Sequence, residues 1–70
     1  MKYLIILEPT GTGYSAYSPD LPGCITTGRS KEDTEKNMRE AIEFHLEGMR
    51  AEGLELPKPC TEASFVDVAA

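Results

Sequence analysis

The side chains in this 70-residue chain that are capable of nucleophilic, acid–base or metal-ligating chemistry are few and scattered. His45 is the only histidine, and Cys24 and Cys60 are the only cysteines. A metal site or a catalytic nucleophile needs convergent partners, such as a second ligand or an adjacent base. Neither cysteine has such a partner at motif spacing, and no nearby acid shares the face of the predicted helix that carries His45. We therefore predict no catalytic residue, metal or cofactor, and favour packing roles for His45 and Cys24.

Two further patterns have only a superficial likeness to functional sites. Gly11-Thr-Gly13 lacks the Lys of a phosphate-binding loop, and no helix follows to direct its dipole at an anion. It predicts a hairpin turn. Glu43 and Glu47 are four residues apart, a spacing that aligns two carboxylates but is also common on the solvated face of a helix.

The segment from Tyr14 to Gly28 contains the densest set of backbone constraints. It has two Pro and two Gly around Asp20, more than a simple connection between strands requires. We expect a shaped surface loop in which Asp20 either accepts a hydrogen bond from its own turn or faces a cation on a partner. The candidate partner-binding residues are Tyr14, Tyr17, Asp20, Leu21 and Pro22.

The elements that position these residues follow from periodicity. Short β-forming runs bounded by turn residues predict strands at residues 3–7, 14–18 and 24–27, joined as an antiparallel meander. A 3.6-residue apolar period without Pro predicts a long helix, with Ser30 as its N-cap and Gly53 just beyond its end. Residues 64–68 alternate like a final strand, expected to pair beside the first. The order is βββαβ, in one α+β domain spanning residues 1–70.

Composition narrows the classes of partner. Twelve acids against seven bases leave a net charge of −5, so direct binding to nucleic acid is not expected, whereas a basic protein is a suitable partner. No run is long and apolar enough for a secretory signal or a membrane span. We expect a cytoplasmic protein with reduced thiols. Its small core also favours a homo-oligomer, because association buries further apolar surface.

Four blocks of the sequence together resemble the HicB-type antitoxin family over nearly the whole chain. They are Tyr14-x-Ala16-x-x-Pro19-Asp20-Leu21-Pro22-Gly23-Cys24, Gly28, Asn37-x-x-Glu40-Ala41-Ile42, and Gly53-x-x-Leu56-Pro57-x-Pro59. The resemblance implies a partial RNase H-like fold. It also implies a non-enzymatic role in a type II toxin–antitoxin system, in which the protein neutralises a small basic HicA-type RNase by direct binding.

The chain also departs from the fuller pattern of that family. Many such antitoxins carry a C-terminal DNA-binding module, and this sequence stops just after the predicted final strand, so self-repression of transcription is not implied. Two alternatives therefore stay open. One is an orphan homo-oligomeric scaffold, and the other is a metal-dependent nuclease remnant with an RNase H-like fold.

Overall fold

A computed structural model describes residues 1–70 and contains three strands and one helix. The strands are β1 (Ile6–Pro9), β2 (Tyr14–Tyr17) and β3 (Ile25–Gly28), and the helix is α1 (Lys31–Ala51). The strands form one antiparallel sheet in the order β1-β2-β3. α1 packs against β3 and β2. The α+β class, the meander and the long helix are therefore confirmed.

A tight turn sets the register of the first hairpin. The Thr10 amide donates to the Gly13 carbonyl (2.8 Å), and β1 then pairs with β2 so that Leu7 lies opposite Ala16. A glycine is required at position 13 because the backbone of residues 28 and 29 approaches it closely, not because its dihedral angles are unusual. A Cβ there would lie 2.9 Å from the Cα of Arg29 and closer still to the carbonyl oxygen of Gly28.

The ends of α1 carry the signals that the sequence predicts. The Ser30 hydroxyl accepts a hydrogen bond from the Asp33 amide (3.0 Å), which satisfies one of the free donors of the first turn. At the other end Gly53 adopts a φ of 71°. The amides of Gly53 and Leu54 then bond back to carbonyls of the last turn, as helices that end in a left-handed residue do.

The core lies between the inner face of the sheet and α1, and it is small. Its buried apolar members are Ala16, Leu21, Cys24 and Met38, with further half-buried side chains packed around them. Only six of the 70 residues are buried, so most apolar side chains remain partly in contact with water. Such a thin core agrees with the size of the chain.

The predicted final strand is wrong for the single chain. Residues 54–70 form no strand or helix, and residues 60–70 are exposed throughout. A strand exists only where a neighbour accepts its hydrogen bonds, and β1, the expected neighbour, keeps a free outer edge. The observed order is βββα, without the closing strand of a partial RNase H-like fold.

The first strand also differs from its prediction. The apolar run at residues 3–7 predicts a strand that is covered on both faces or lies at the centre of the sheet. Pairing begins only at Ile6, however, and β1 lies at the sheet edge. All five residues of the run are half-buried.

The helix α1 lacks the length of uncharged apolar sequence that a bilayer crossing requires.

Candidate protein-binding surface

The loop from Ser18 to Cys24 consists of two successive turns, each with a proline at its second position. The Leu21 amide donates to the Ser18 carbonyl (3.1 Å), and the Cys24 amide donates to the Leu21 carbonyl (3.1 Å). In the second turn Gly23 follows Pro22 with a φ of 83°, the arrangement of a type II turn. Two fused turns explain the density of Pro and Gly, since each fixes a separate reversal of the chain.

A side-chain bond ties this loop to the segment that precedes β1. Ser18 is buried, and its hydroxyl donates to the Leu4 carbonyl (2.9 Å). This bond extends the contact between the first two strands beyond the last paired residues, Ile6 and Tyr17. The loop is therefore anchored at the end of the sheet where β1 begins.

Asp20 binds the C-terminal segment of its own chain. One carboxylate oxygen accepts from the backbone amides of Cys60 and Thr61 (3.1 Å each). The other accepts from the Thr61 hydroxyl (2.6 Å) and the Cys60 thiol (3.3 Å). We call this group of three residues the Asp20 clamp. Both oxygens of Asp20 are thus occupied by residues about forty positions away.

The clamp shifts the pKa values of two of its members in opposite directions. The hydroxyl and amide of Thr61, followed by the Cys60 donors, lower the pKa of Asp20 below its ordinary value of 3.8. The same contact raises the pKa of Cys60, because a thiolate would lose its hydrogen bond to Asp20 and face a negative charge. The clamp therefore favours a carboxylate beside a neutral thiol.

The five candidate partner-binding residues do not form one surface. Tyr14 begins β2 and Tyr17 ends it, so the two rings lie at opposite ends of the strand. Leu21 is fully buried and belongs to the core. Tyr17 and Pro22 are exposed and line one shallow groove, which Ile25 completes.

Ile25 belongs to an apolar row on the face of the sheet away from α1. The register pairs Ile6 with Tyr17 and Tyr17 with Ile25, so the three side chains are direct cross-strand neighbours. Tyr17 is 40% and Ile25 66% exposed. We call these three residues the outer row. The sequence pattern indicates Tyr17 but not its neighbours, since the row depends on the register of both hairpins.

A second open groove runs between α1 and the start of β3. His45 and Cys24 both line it, together with Phe44, which is exposed, and the edge residue Ile25. No hydrogen bond joins His45 to Cys24, and burial raises the pKa of the Cys24 thiol. The arrangement therefore lacks the activated thiolate of a catalytic cysteine. Nowhere do three or more His, Cys, Asp or Glu side chains converge as a metal-ligand set.

Comparison with known proteins agrees with this architecture. Residues 3–68 match a family model described as the HicB-like antitoxin of a bacterial toxin–antitoxin system. The chain belongs to the HicB-like antitoxin family. The match covers the sheet, the helix and the extended C-terminal segment, so the resemblance seen in the sequence motifs is confirmed.

The individual relatives vary in length. A chain of a solved HicA3 and HicB3 toxin–antitoxin complex superposes with a TM-score of 0.73 and 37% identity, covering 86% of this chain and 70% of its own. A 14.9 kDa protein of Haemophilus phage HP1 is 43% identical over 83% of this chain, which spans only 44% of that protein. A UPF0150 protein of Thermoplasma acidophilum is 33% identical, with 89% of this chain and 91% of the relative covered.

Proposed function

We propose that this HicB-like chain is an antitoxin that binds a small basic HicA-type RNase and neutralises it by direct contact. The observation that carries the proposal is the likeness, at 37% identity and a TM-score of 0.73, to a chain of a HicA3 and HicB3 complex. Membership of the antitoxin family supports it. The role requires binding rather than catalysis, and because the toxin cleaves mRNA it implies a cytoplasmic location.

The surface offered for this contact is the outer row together with the adjoining loop. Tyr17 and Ile25 supply apolar area, and Pro22 holds the loop beside them in a fixed turn. A Tyr at the centre of a rigid apolar patch is the kind of side chain that dominates binding energy at interfaces. The net charge of −5 complements a basic toxin and accelerates its approach.

Two of the candidate residues have indirect roles in this proposal. Both oxygens of Asp20 already accept hydrogen bonds within the chain, so Asp20 orders the loop instead of contacting a cationic residue of the toxin. Leu21 is buried and supports the loop from below. Tyr14, at the far end of β2, lies outside the proposed contact.

The test is binding to a HicA-type protein, sought as a small basic open reading frame beside the one that encodes this chain. The two proteins are co-purified, their dissociation constant is measured by calorimetry, and RNA cleavage by the partner is followed as this chain is added. We expect a complex at micromolar concentration and cleavage that falls as the complex forms. Replacing Tyr17 with Ala weakens binding at least tenfold, which is the usual cost of losing an interface hot spot.

Leu54→Ala is the matched control, because Leu54 is a similarly exposed apolar residue that lies just beyond α1. We expect it to bind as tightly as the unaltered chain. Absence of any complex overturns the antitoxin proposal and leaves the scaffold alternative. Binding that withstands Tyr17→Ala as well as Leu54→Ala overturns the assignment of the surface.

A further inference from the structure

The C-terminal segment beyond the Asp20 clamp is an apolar strand sequence without a neighbour. Phe65, Val66 and Val68 are 102%, 79% and 78% exposed, although the alternation of residues 64–68 is typical of a half-buried strand. The molecule extends 49 Å along its longest axis, with a radius of gyration of 13.9 Å, against about 11 Å for a compact domain of this length. We call residues 62–70 the tail.

The outer edge of the first strand also lacks a neighbour to pair with. Residues 3–7 read Tyr-Leu-Ile-Ile-Leu, and all five are half-buried. Ile6 and Leu7 belong to β1 at the edge of the sheet, and residues 3–5 lead into it. β1 pairs only with β2, and no backbone hydrogen bond reaches its outer side. Natural edge strands are usually interrupted by charge, Pro or a bulge. The apolar run contains none of these, and only the end of β1 carries a charge and a proline, Glu8 and Pro9.

The Asp20 clamp brings the tail to the correct end of the sheet but not onto its own β1. The Tyr3 hydroxyl donates to the Pro57 carbonyl, and the clamp then holds Cys60 and Thr61 beside the loop that follows β2. This point lies at the end of the sheet where β1 begins. From there the chain leads away from the sheet, since every residue after Thr61 is exposed.

We propose that two copies of this chain exchange their tails, each adding residues 64–68 as a fourth strand to the β1 edge of the other. The exchange supplies the missing hydrogen-bond partners of β1 and covers the apolar tail in one step. A second copy is the fitting occupant because both halves of the contact are present on one chain. Reciprocal exchange also gives a closed dimer with a two-fold axis, in which neither tail and neither β1 edge stays unpaired.

The side-chain area involved reaches the lower bound of a specific interface. At 60–120 Å² each, on the order of the apolar area that a buried Val or Phe removes from water, the three tail side chains cover about 180–360 Å². The β1 edge that receives the tail buries an equal area, and the second, symmetric contact doubles the sum. The total is roughly 700–1,400 Å², before the backbone is counted. This range includes the roughly 1,200 Å² at which specific interfaces begin. The proposal goes beyond toxin binding, which uses the outer row.

Light scattering coupled to size exclusion, over a range of concentrations, tests the association of the full chain. We expect a dimer for the unaltered protein and a monomer for Phe65→Asp. Phe44→Asp is the matched control, since Phe44 is another strongly exposed phenylalanine, at 79%, but lies on α1, and this variant is expected to remain dimeric. Far-UV circular dichroism verifies that each variant is folded.

Isotope-filtered NMR on a mixture of labelled and unlabelled chains tests the contact itself. Tail exchange predicts intermolecular contacts from the Phe65 ring to methyl groups of residues 4–7. A protein that stays monomeric at every concentration overturns the proposal. So does a dimer that survives Phe65→Asp, or one in which the Phe65 contacts arise only within a chain.

Discussion

Two glycines in this chain are expected to respond to the same substitution with opposite signs. Gly28 ends β3 where the first turn of α1 approaches it. A Cβ there would lie 2.8 Å from the amide nitrogen of Thr34 and 2.9 Å from its Cα, with the hydroxyl closer still. Gly48, within α1, has no atom within 4 Å of the position that its Cβ would occupy.

The surroundings of Gly28 cannot move away easily. Thr34 is fully buried, its amide donates to the Ser30 carbonyl (3.0 Å), and its hydroxyl donates to the same oxygen (2.7 Å). Gly28→Ala must therefore displace the first turn of the helix or the end of β3. Overpacking of this kind costs about 1–3 kcal/mol. Gly48→Ala instead removes the penalty of a glycine in a helix interior and gains about 1 kcal/mol.

Thermal and urea unfolding followed by far-UV circular dichroism measure both changes. At about 4–8 °C for each kcal/mol in a domain of this size, Gly28→Ala lowers the melting temperature by roughly 4–24 °C. Gly48→Ala raises it by roughly 4–8 °C. All variants are compared at one protein concentration, because self-association adds to apparent stability. A Gly28→Ala variant that melts with the unaltered protein, or a Gly48→Ala variant that melts below it, would contradict these assignments.

Four further outcomes are expected. Leu21→Ala lowers the free energy of unfolding by about 2–5 kcal/mol in urea titrations, because it empties a fully buried position in a thin core, whereas an exposed loop residue would cost almost nothing. Ser30→Ala costs about 1 kcal/mol in the same assay through the lost bond to the Asp33 amide, and Ser30→Asp should restore it. The clamp holds the pKa of the Asp20 carboxyl below its ordinary value of 3.8 in the folded chain. The stabilisation from the clamp is therefore complete above pH 3.8 and is lost as the pH falls through the lowered pKa of the folded state. NMR shifts of the Cys60 amide report the opening of the clamp. Because Asp20 also raises the pKa of the Cys60 thiol, Asp20→Asn accelerates alkylation of Cys60 near neutral pH, and an unchanged rate would contradict the contact.

Features with local causes could be predicted from the sequence. The N-cap at Ser30, the left-handed residue at Gly53 and the apolar period between them depend on residues within a few positions of one another, and α1 forms as expected. The hairpins follow for the same reason. The strand at residues 64–68 fails in the single chain because a strand requires a distant neighbour, which no local pattern supplies.

The candidate surface was predictable to a smaller extent. Tyr17 and Pro22 are exposed beside one groove, but the outer row needs the register of all three strands before Ile25 joins it. Leu21 lies between two prolines in a loop and reads as an exposed residue, yet the two fused turns direct its side chain into the core. The partners of Asp20 are about forty residues away, and their sequence carries no motif that would indicate the contact.

The order of pairing along the chain has a consequence for how the protein forms. β1 pairs with β2, β2 with β3, and α1 follows directly against β3 and β2, so each step joins neighbours in sequence and the entropy of loop closure stays small. Only the contacts of the C-terminal segment span 40 to 54 residues. The sheet and helix therefore close only short loops. The contacts of Tyr3 and Asp20 with the C-terminal segment close the longest loops in the chain, so they carry its largest cost in loop-closure entropy.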